Sequence, residues 1–268
     1  MVQETLRRLT ARGWEVGLHG SFDSFRSAES LAAERQDVAA LAGHDVCGCR
    51  QHFLRFERPT TWGAQVEAGL RYDATLGYHD ADGYRAGFSF PFRPFVGREL
   101  PLLVLPLVVM DGALLERQGL DGEAAWKRLE GYLERTEADG AMLSLLWHNT
   151  HFCDLDAPGY RSVYERALDR IRERGGWGAA AREICDWWAR RAAVALDVRQ
   201  RQQEVRVTVS APEEMAELPL ELHHGPAGRA GVHFEACRGE ILEQREDRTR
   251  CVVRGLVPGG SAVIVRMG

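Results

Sequence analysis

Lysine is almost absent from this chain of 268 residues: Lys127 stands alone, and every other basic side chain is arginine. We read that bias as a mark of base composition in the coding DNA and attach no function to it. Excess positive charge is missing too. The 34 basic residues face 39 acidic ones, for a net charge of -5 at pH 7, so electrostatics give no reason to expect a nucleic acid or an anionic lipid as partner. Long apolar runs are also lacking. The longest, Leu100 to Met110, is interrupted by Pro101 and Pro106 and falls short of the roughly 20 residues that span a bilayer; neither a transmembrane helix nor a membrane partner is expected. The opening MVQETLRRLTARG reads as a charged amphipathic helix without the apolar core of an export signal, which makes the cytoplasm the expected compartment. Six cysteines at positions 47, 49, 153, 185, 237 and 251 are spaced too irregularly to read as a disulfide framework.

What is present is an ordinary globular composition, 45% hydrophobic and 27% charged, enough for one large domain or a medium one plus a small one. Up to about residue 196, short β-like runs alternate with helical patterns, the mark of repeated βα units around a parallel sheet or barrel. The strand candidates are Trp14 to Leu18, Val46 to Cys49, Leu70 to Tyr72, Leu102 to Met110 and Ala141 to Trp147, with a weaker one near Trp177. Helices are expected at Gln3 to Arg12, Ala28 to Leu41, Thr60 to Gly69, Gly122 to Ala138, Tyr160 to Arg174 and Ala180 to Ala195, several with apolar residues at i, i+3, i+4 spacing. Past residue 198 the period falls to two, as in Val205, Val207, Val209 and Leu218, Leu220, Leu222. Further runs at Gly231 to Ala236, Arg250 to Leu256 and Ala262 to Met267 complete the pattern of a small antiparallel β-module. The expected domains are therefore 1–197 and 198–268, with the boundary in the charged stretch Arg199 to Glu204.

Parallel α/β architectures collect their active sites at the carboxyl ends of the strands, where the outgoing loops converge. The residues that follow the apolar runs are then the ones to inspect. His19 follows the first, Arg50 ends the second, Asp111 follows the fourth and His148 the fifth. Taken singly, a strand-end histidine is more often a structural hydrogen-bonding residue. Two histidines, an arginine and the carboxylates Asp23 and Asp111 at one mouth are the ingredients of metal-assisted hydrolysis: imidazole and carboxylate ligands, a cation to orient a base and a histidine as general acid.

The segments GWEVGLHGSFDSF, GCRQHFLRF, GLRYDATLGYHDADGYRAGFSFPFRPF, LPLVVMDGALL and LSLLWHNTHF, in this order from about residue 12 to 190, resemble the polysaccharide deacetylases, the nodulation-protein-B-like superfamily of metal-dependent carbohydrate esterases. The resemblance implies a distorted or incomplete (β/α) barrel of the glycoside hydrolase/deacetylase type, a divalent metal with zinc as the first expectation, and removal of acetyl groups from a carbohydrate by hydrolysis of a non-peptide C–N or ester bond. In the family's second motif two histidines four positions apart bind the metal; His19 matches the first, and Asp23 stands in the place of the second. Arg50 falls where the family's arginine orients the catalytic carboxylate, with His52 in place of a usual proline. Leu146, Trp147 and His148 match the last motif and give His148 the general-acid role. Nothing before His19 supplies the paired aspartates with which the family's barrel begins. That leaves either an N-terminally shortened form or a base from elsewhere, for which Asp111 is the strand-end nominee. It also admits a second reading, a catalytically impaired member acting as a carbohydrate-binding or scaffolding protein. An exposed strand edge would invite pairing with another chain, so a homo-oligomer is among the expected assemblies.

Around this mouth, Arg85, Phe90, Arg93 and Trp147 are the candidate substrate contacts. The run SFPFRPF could line a sugar groove, since aromatic faces stack on pyranose rings and arginines hold acidic substituents, or it could plug the barrel; both stay open. Trp147, like Trp187 and Trp188, also reads as core or interdomain packing. His151 forms a His-x-x-His spacing with His148, but at a strand exit and not on a helix face. Cys47 and Cys49 lie two apart on a strand and share a face, and the tandem His223 and His224 read as solvated.

Overall fold

A computed structural model describes residues 2–201, 204–223, 231–235, 238–245, 247–256 and 261–266, with residues 231, 235 and 261–266 as backbone alone. The chain divides into two compact units, 1–186 and 187–268. In the first, the strands are β1 (Leu18–Gly20), β2 (Gly48–Gln51), β3 (Tyr72–Asp73), β4 (Leu103–Val104), β5 (Val109–Met110) and β6 (Leu145–Leu146). Their neighbours pair in parallel, as a four-stranded sheet β1-β2-β3-β4 and a two-stranded sheet β5-β6. Together with the antiparallel sheets of the second unit this is a mixed α/β fold.

The helices are α1 (Val2–Thr10), α2 (Ala28–Ala42), α3 (Thr60–Glu67), α4 (Gly122–Asp139), α5 (Tyr160–Glu173) and α6 (Ala181–Ala193), the last running across the division between the units. Local chemistry sets their ends. The Ser27 side chain caps α2 by accepting from the Ser30 N–H, and Asp121 caps α4 by accepting from Ala124 at 2.8 Å, each worth about 1 kcal/mol. Among the described residues no helix is long and apolar enough to cross a membrane.

The strands are shorter than the apolar runs that encode them. The run Leu102 to Met110 yields two strands, because Pro106 has no N–H to give a ladder. Leu105 N–H still reaches Asp73 O at 2.8 Å while Val108 N–H turns to Ser144 O at 3.1 Å, so one buried run passes from the first sheet to the second. The expected strand at Trp14 to Leu18 begins only at Leu18, where the register with Cys49 starts, and the stretch around Trp177 forms no strand. Leu18, Leu31, Val46, Cys49, Ala64 and Leu70 make the core between sheet and helices on one side. Val109, Leu114, Trp126, Leu129, Tyr160 and Val163 make it around β5, α4 and α5.

The second unit contains β7 (Ala195–Arg201), β8 (Glu204–Ser210), β9 (Met215–His223), β10 (Gly231–Glu235), β11 (Arg238–Gln244), β12 (Arg248–Leu256) and β13 (Ser261–Arg266), in antiparallel sheets β10-β13-β8-β7 and β11-β12-β9. Val207, Val209, Leu218, Val253 and Leu256 are buried between them, the inward half of the period-two pattern. Strand β7 runs through position 197/198, where the sequence suggested a boundary, and β11 was not anticipated. Ala236, Cys237, His224 and Met267 lie outside the described residues.

Two glycines give opposite expectations. A Cβ on Gly48 of β2 would fall 1.9 Å from Cζ of the buried Tyr72 ring, whereas one on Gly131 of α4 meets nothing within 4 Å. Gly48→Ala should therefore lose about 1–3 kcal/mol to overpacking, and Gly131→Ala should gain up to about 1 kcal/mol from helix propensity. Urea unfolding of the two variants against the parent checks both signs.

Candidate functional site

The carboxyl ends of the parallel strands bring the sequence's strand-end residues to one edge. The β1/β2 register sets His19 directly beside Arg50. Asp111 leaves β5, and Trp147 and His148 leave β6.

Asp111 is fully buried, and its two oxygens accept four hydrogen bonds. On Oδ1 these come from His148 Nδ1–H at 2.6 Å and Gly112 N–H at 2.7 Å. On Oδ2 they come from His151 Nδ1–H at 2.7 Å and His148 N–H at 2.5 Å. An ionised carboxylate only accepts and has about four lone-pair sites, so all are filled and both imidazoles are held as Nδ1–H tautomers. The His148 side chain remains 49% exposed, whereas that of His151 is buried at 7%. His151 Nε2 lies 3.6 Å from Glu116 Oε1, carried on the π-helical turn that follows Asp111. Asp111, His148 and His151 could hold a metal ion, since one ligand atom from each lies within 4.8 Å of the others.

The other half of the edge is built by the exits of β1 and β2. His19 Nε2 lies 3.0 Å from His52 Nδ1. Burial, then the charges of His52, Arg50 and His148, hold His19 below the usual imidazole value against a hydrogen bond to the Arg50 backbone; His148 is thus within electrostatic reach of His19. Asp23 does not join His19. Its side chain, 88% exposed, pairs with Arg55 Nη1 at 2.8 Å, and the Arg55 guanidinium also lies over the Phe22 ring at 3.9 Å and donates to the Phe22 carbonyl. After His52 the chain turns through Phe53 and Leu54 at φ of 53° and 52°, a left-handed conformation that costs an L-residue about 1–2 kcal/mol.

Between these halves Arg50 is half-buried and donates from Nε to Ala74 O at 2.9 Å. Loss of solvation lowers its guanidinium, while Asp73 acts in the opposite direction. Asp73, at the end of β3, is fully buried. Its Oδ1 accepts from Gln65 Nε2 at 3.0 Å, from Thr75 N–H at 3.1 Å and from the Thr75 hydroxyl. Its Oδ2 and the buried Trp62 Nε1 both lack a hydrogen-bonded partner, although the indole still favours the carboxylate. Asp73 is the residue that follows the apolar run Leu70 to Tyr72, the same position that singled out His19 and Asp111, although the sequence reading did not name it.

The substrate candidates separate. Trp147 packs on Tyr160 and Tyr164 at centroid distances of 5.9 and 5.5 Å and belongs to the core around α5. Arg85 donates to Gly77 O at 2.8 Å and Arg93 lies 3.7 Å from Glu99. In SFPFRPF, Phe92 packs against the Trp62 core while Phe88, Phe90 and Phe95 are exposed. The buried thiols lie apart from this chemistry: burial pushes Cys47, beside Glu15, up to about 11 and Cys185 up to about 12, out of the reactive range. The chain matches no family model, and comparison with curated proteins finds no match.

Burial raises the Asp73 carboxyl above its ordinary value despite the hydrogen bonds it accepts. The folded state therefore keeps a proton that the unfolded chain releases near pH 3.9, and stability falls as pH rises from there through the folded value. Asp73→Asn removes that loss. Relative to the parent, the variant should be more stable at pH 7 than at pH 4, and denaturant midpoints at the two values test it; a pH-independent difference would contradict the assignment.

Proposed function

We propose that the first unit is a polysaccharide-deacetylase-like hydrolase that removes acetyl groups from a carbohydrate. The observation that carries the reading is the Asp111–His148 pair: a buried carboxylate that fixes an exposed imidazole at the edge where five strand exits converge. The six parallel strands are then read as part of a distorted or incomplete (β/α) barrel. With Nδ1–H committed to Asp111, His148 directs Nε2 outward. That nitrogen can take a proton from the attacking water and return it to the departing amine or alcohol, giving acetate and the free sugar group. Asp111 stabilises the intermediate imidazolium and is a positioning residue, since its own acceptor sites are filled. The exposed rings of Phe22 and Phe53, set edge to face at 6.0 Å, supply apolar surface for a sugar, and Arg50 supplies positive charge.

The family's divalent metal, zinc by the chemistry of its ligands, would polarise the acetyl carbonyl. The ligand pair suggested by the sequence does not suit it, because Asp23 is engaged by Arg55, and none of the proton steps above depends on it. That same engagement favours the second reading, a carbohydrate-binding or scaffolding protein of impaired activity. An acetylated carbohydrate is the partner in both readings, and the cytoplasm the compartment; a homo-oligomer through the open β1 edge belongs to the same proposal.

Acetate release from N-acetylated chitooligosaccharides and acetylated xylan tests the reaction. His148→Ala should abolish it with the circular dichroism unchanged, and Asp111→Asn should slow it about 10²- to 10⁴-fold. An unchanged rate in His148→Ala refutes the role. Oligosaccharide binding without turnover by the parent chain selects the second reading.

A further inference from the structure

Strand β7 is an open edge of its four-stranded sheet: it pairs with β8 alone, and all seven of its residues are exposed. Its register sets Leu196 beside Val209 and Val198 beside Val207. Directly paired residues share a face of the sheet, so Leu196 and Val198 lie on the face whose valines pack on Leu218, Val253 and Leu256 of the other sheet. Yet Val207 and Val209 are buried, while Leu196 is 53% and Val198 60% exposed. The apolar face therefore runs on past its cover and ends in a row of unpaired backbone N–H and C=O groups. Outer strands are usually blunted against such pairing. On β9 Pro219 interrupts the donor row, and on β11 the ladder to β12 is irregular between Ile241 and Glu243. Strand β7 has neither device: ALDVRQR contains no proline or glycine, and it pairs with β8 without a register shift.

We infer that β7 is the surface through which two copies of this chain associate, antiparallel about a two-fold axis at Val198, so that two four-stranded sheets become one continuous sheet. The charges on the strand select this register. Centred on Val198, Asp197 of each copy faces Arg199 of the other, Leu196 faces Gln200 and Ala195 faces Arg201. Moving the axis one residue either way would set Asp197 against itself or Arg199 against itself, and like charges directly opposite are destabilising. Within one copy Asp197 and Arg199 already pair along the strand at 2.8 Å, so the two-fold arrangement places four charges in an alternating square. The two Val198 side chains then cover part of each other's exposed surface. A ladder of seven residues is small beside the roughly 1,200–2,000 Å² buried in stable interfaces, so the association is expected to be reversible and concentration-dependent. The interface lies in the second unit, apart from the β1 edge, and does not depend on the proposed reaction.

Sedimentation velocity of the full chain over a concentration series tests it, with hydrogen exchange at the β7 amides as a second readout. The parent should pass from monomer to dimer as concentration rises, and exchange in β7 should slow with it. Asp197→Arg and Arg199→Asp should each raise the dissociation constant at least about tenfold, because each sets like charges across the ladder. Both variants should keep the circular dichroism of the parent. Mixed in equal amounts, they should dimerise with one another as the parent does, since opposite charges then face at both positions. A parent that stays monomeric throughout the series overturns the inference. So does a dimer that neither substitution weakens, which moves the contact to another edge such as β1. Failure of the mixed variants to recover the dimer removes the register and overturns it as well.

Discussion

A carboxylate buried without a cation against it must be satisfied by donors, and Asp111 shows what that demand organises. Desolvating such a group costs several kcal/mol unless its lone pairs are filled, and hydrogen bonds to a charged acceptor return about 1.5–3 kcal/mol each. Two of its four donors are backbone N–H groups, of Gly112 on its own exit and His148 on the neighbouring one, so the carboxylate stitches the β5 and β6 exits together. The other two are imidazoles, whose tautomers it therefore dictates. His151 in turn lies against the Tyr160 ring, centroids 6.1 Å apart, and Tyr160 OH bonds Leu120 O at 2.9 Å ahead of α4. One side chain thus ties the edge chemistry to the helices that form the core beneath it.

Parallel pairing explains why the remaining polar residues lie on the same edge. Within each sheet the strands run the same way, so whatever the chain places after an apolar run is delivered to the same end of that sheet. The buried run Leu102 to Met110 belongs to β4 at one end and β5 at the other, and through it the His19–Arg50–Asp73 half and the Asp111–His148 half form one continuous structure. Within the first half, the fully buried Asp73 favours the charged form of the half-buried Arg50.

Helices were legible because their signals are local: the i, i+3, i+4 stripe together with Ser27, Asp121, Gly43 and Gly140 at the ends fixes α2 and α4 to within a residue or two. Strand extent was not, since a ladder needs a partner that periodicity cannot name; Trp14 to Gly17 is strand-like in composition, yet the β1 register with β2 begins at Leu18. His19, Arg50, Asp111 and His148 could be read as strand-end residues, and Asp73 obeyed the same rule unnoticed. His52 carried no such signal. Its place depends on the left-handed turn at Phe53 and Leu54, residue types that do not advertise that conformation.

Asp23 shows the same limit from the other side. It lies four positions after His19, a spacing that joins two side chains on a helix face, but the chain here leaves a strand and enters a short 3-10 turn at Ser24–Arg26. The side chain swings outward to Arg55, which also holds the Phe22 carbonyl and lies over the Phe22 and Phe25 rings. Phe22 in turn meets His52 and Phe53 at 6.4 and 6.0 Å. The pair Asp23–Arg55 therefore fastens the loop after β1 to the loop after β2. By that fastening, a residue whose spacing suggested a ligand becomes one that holds His52 against His19.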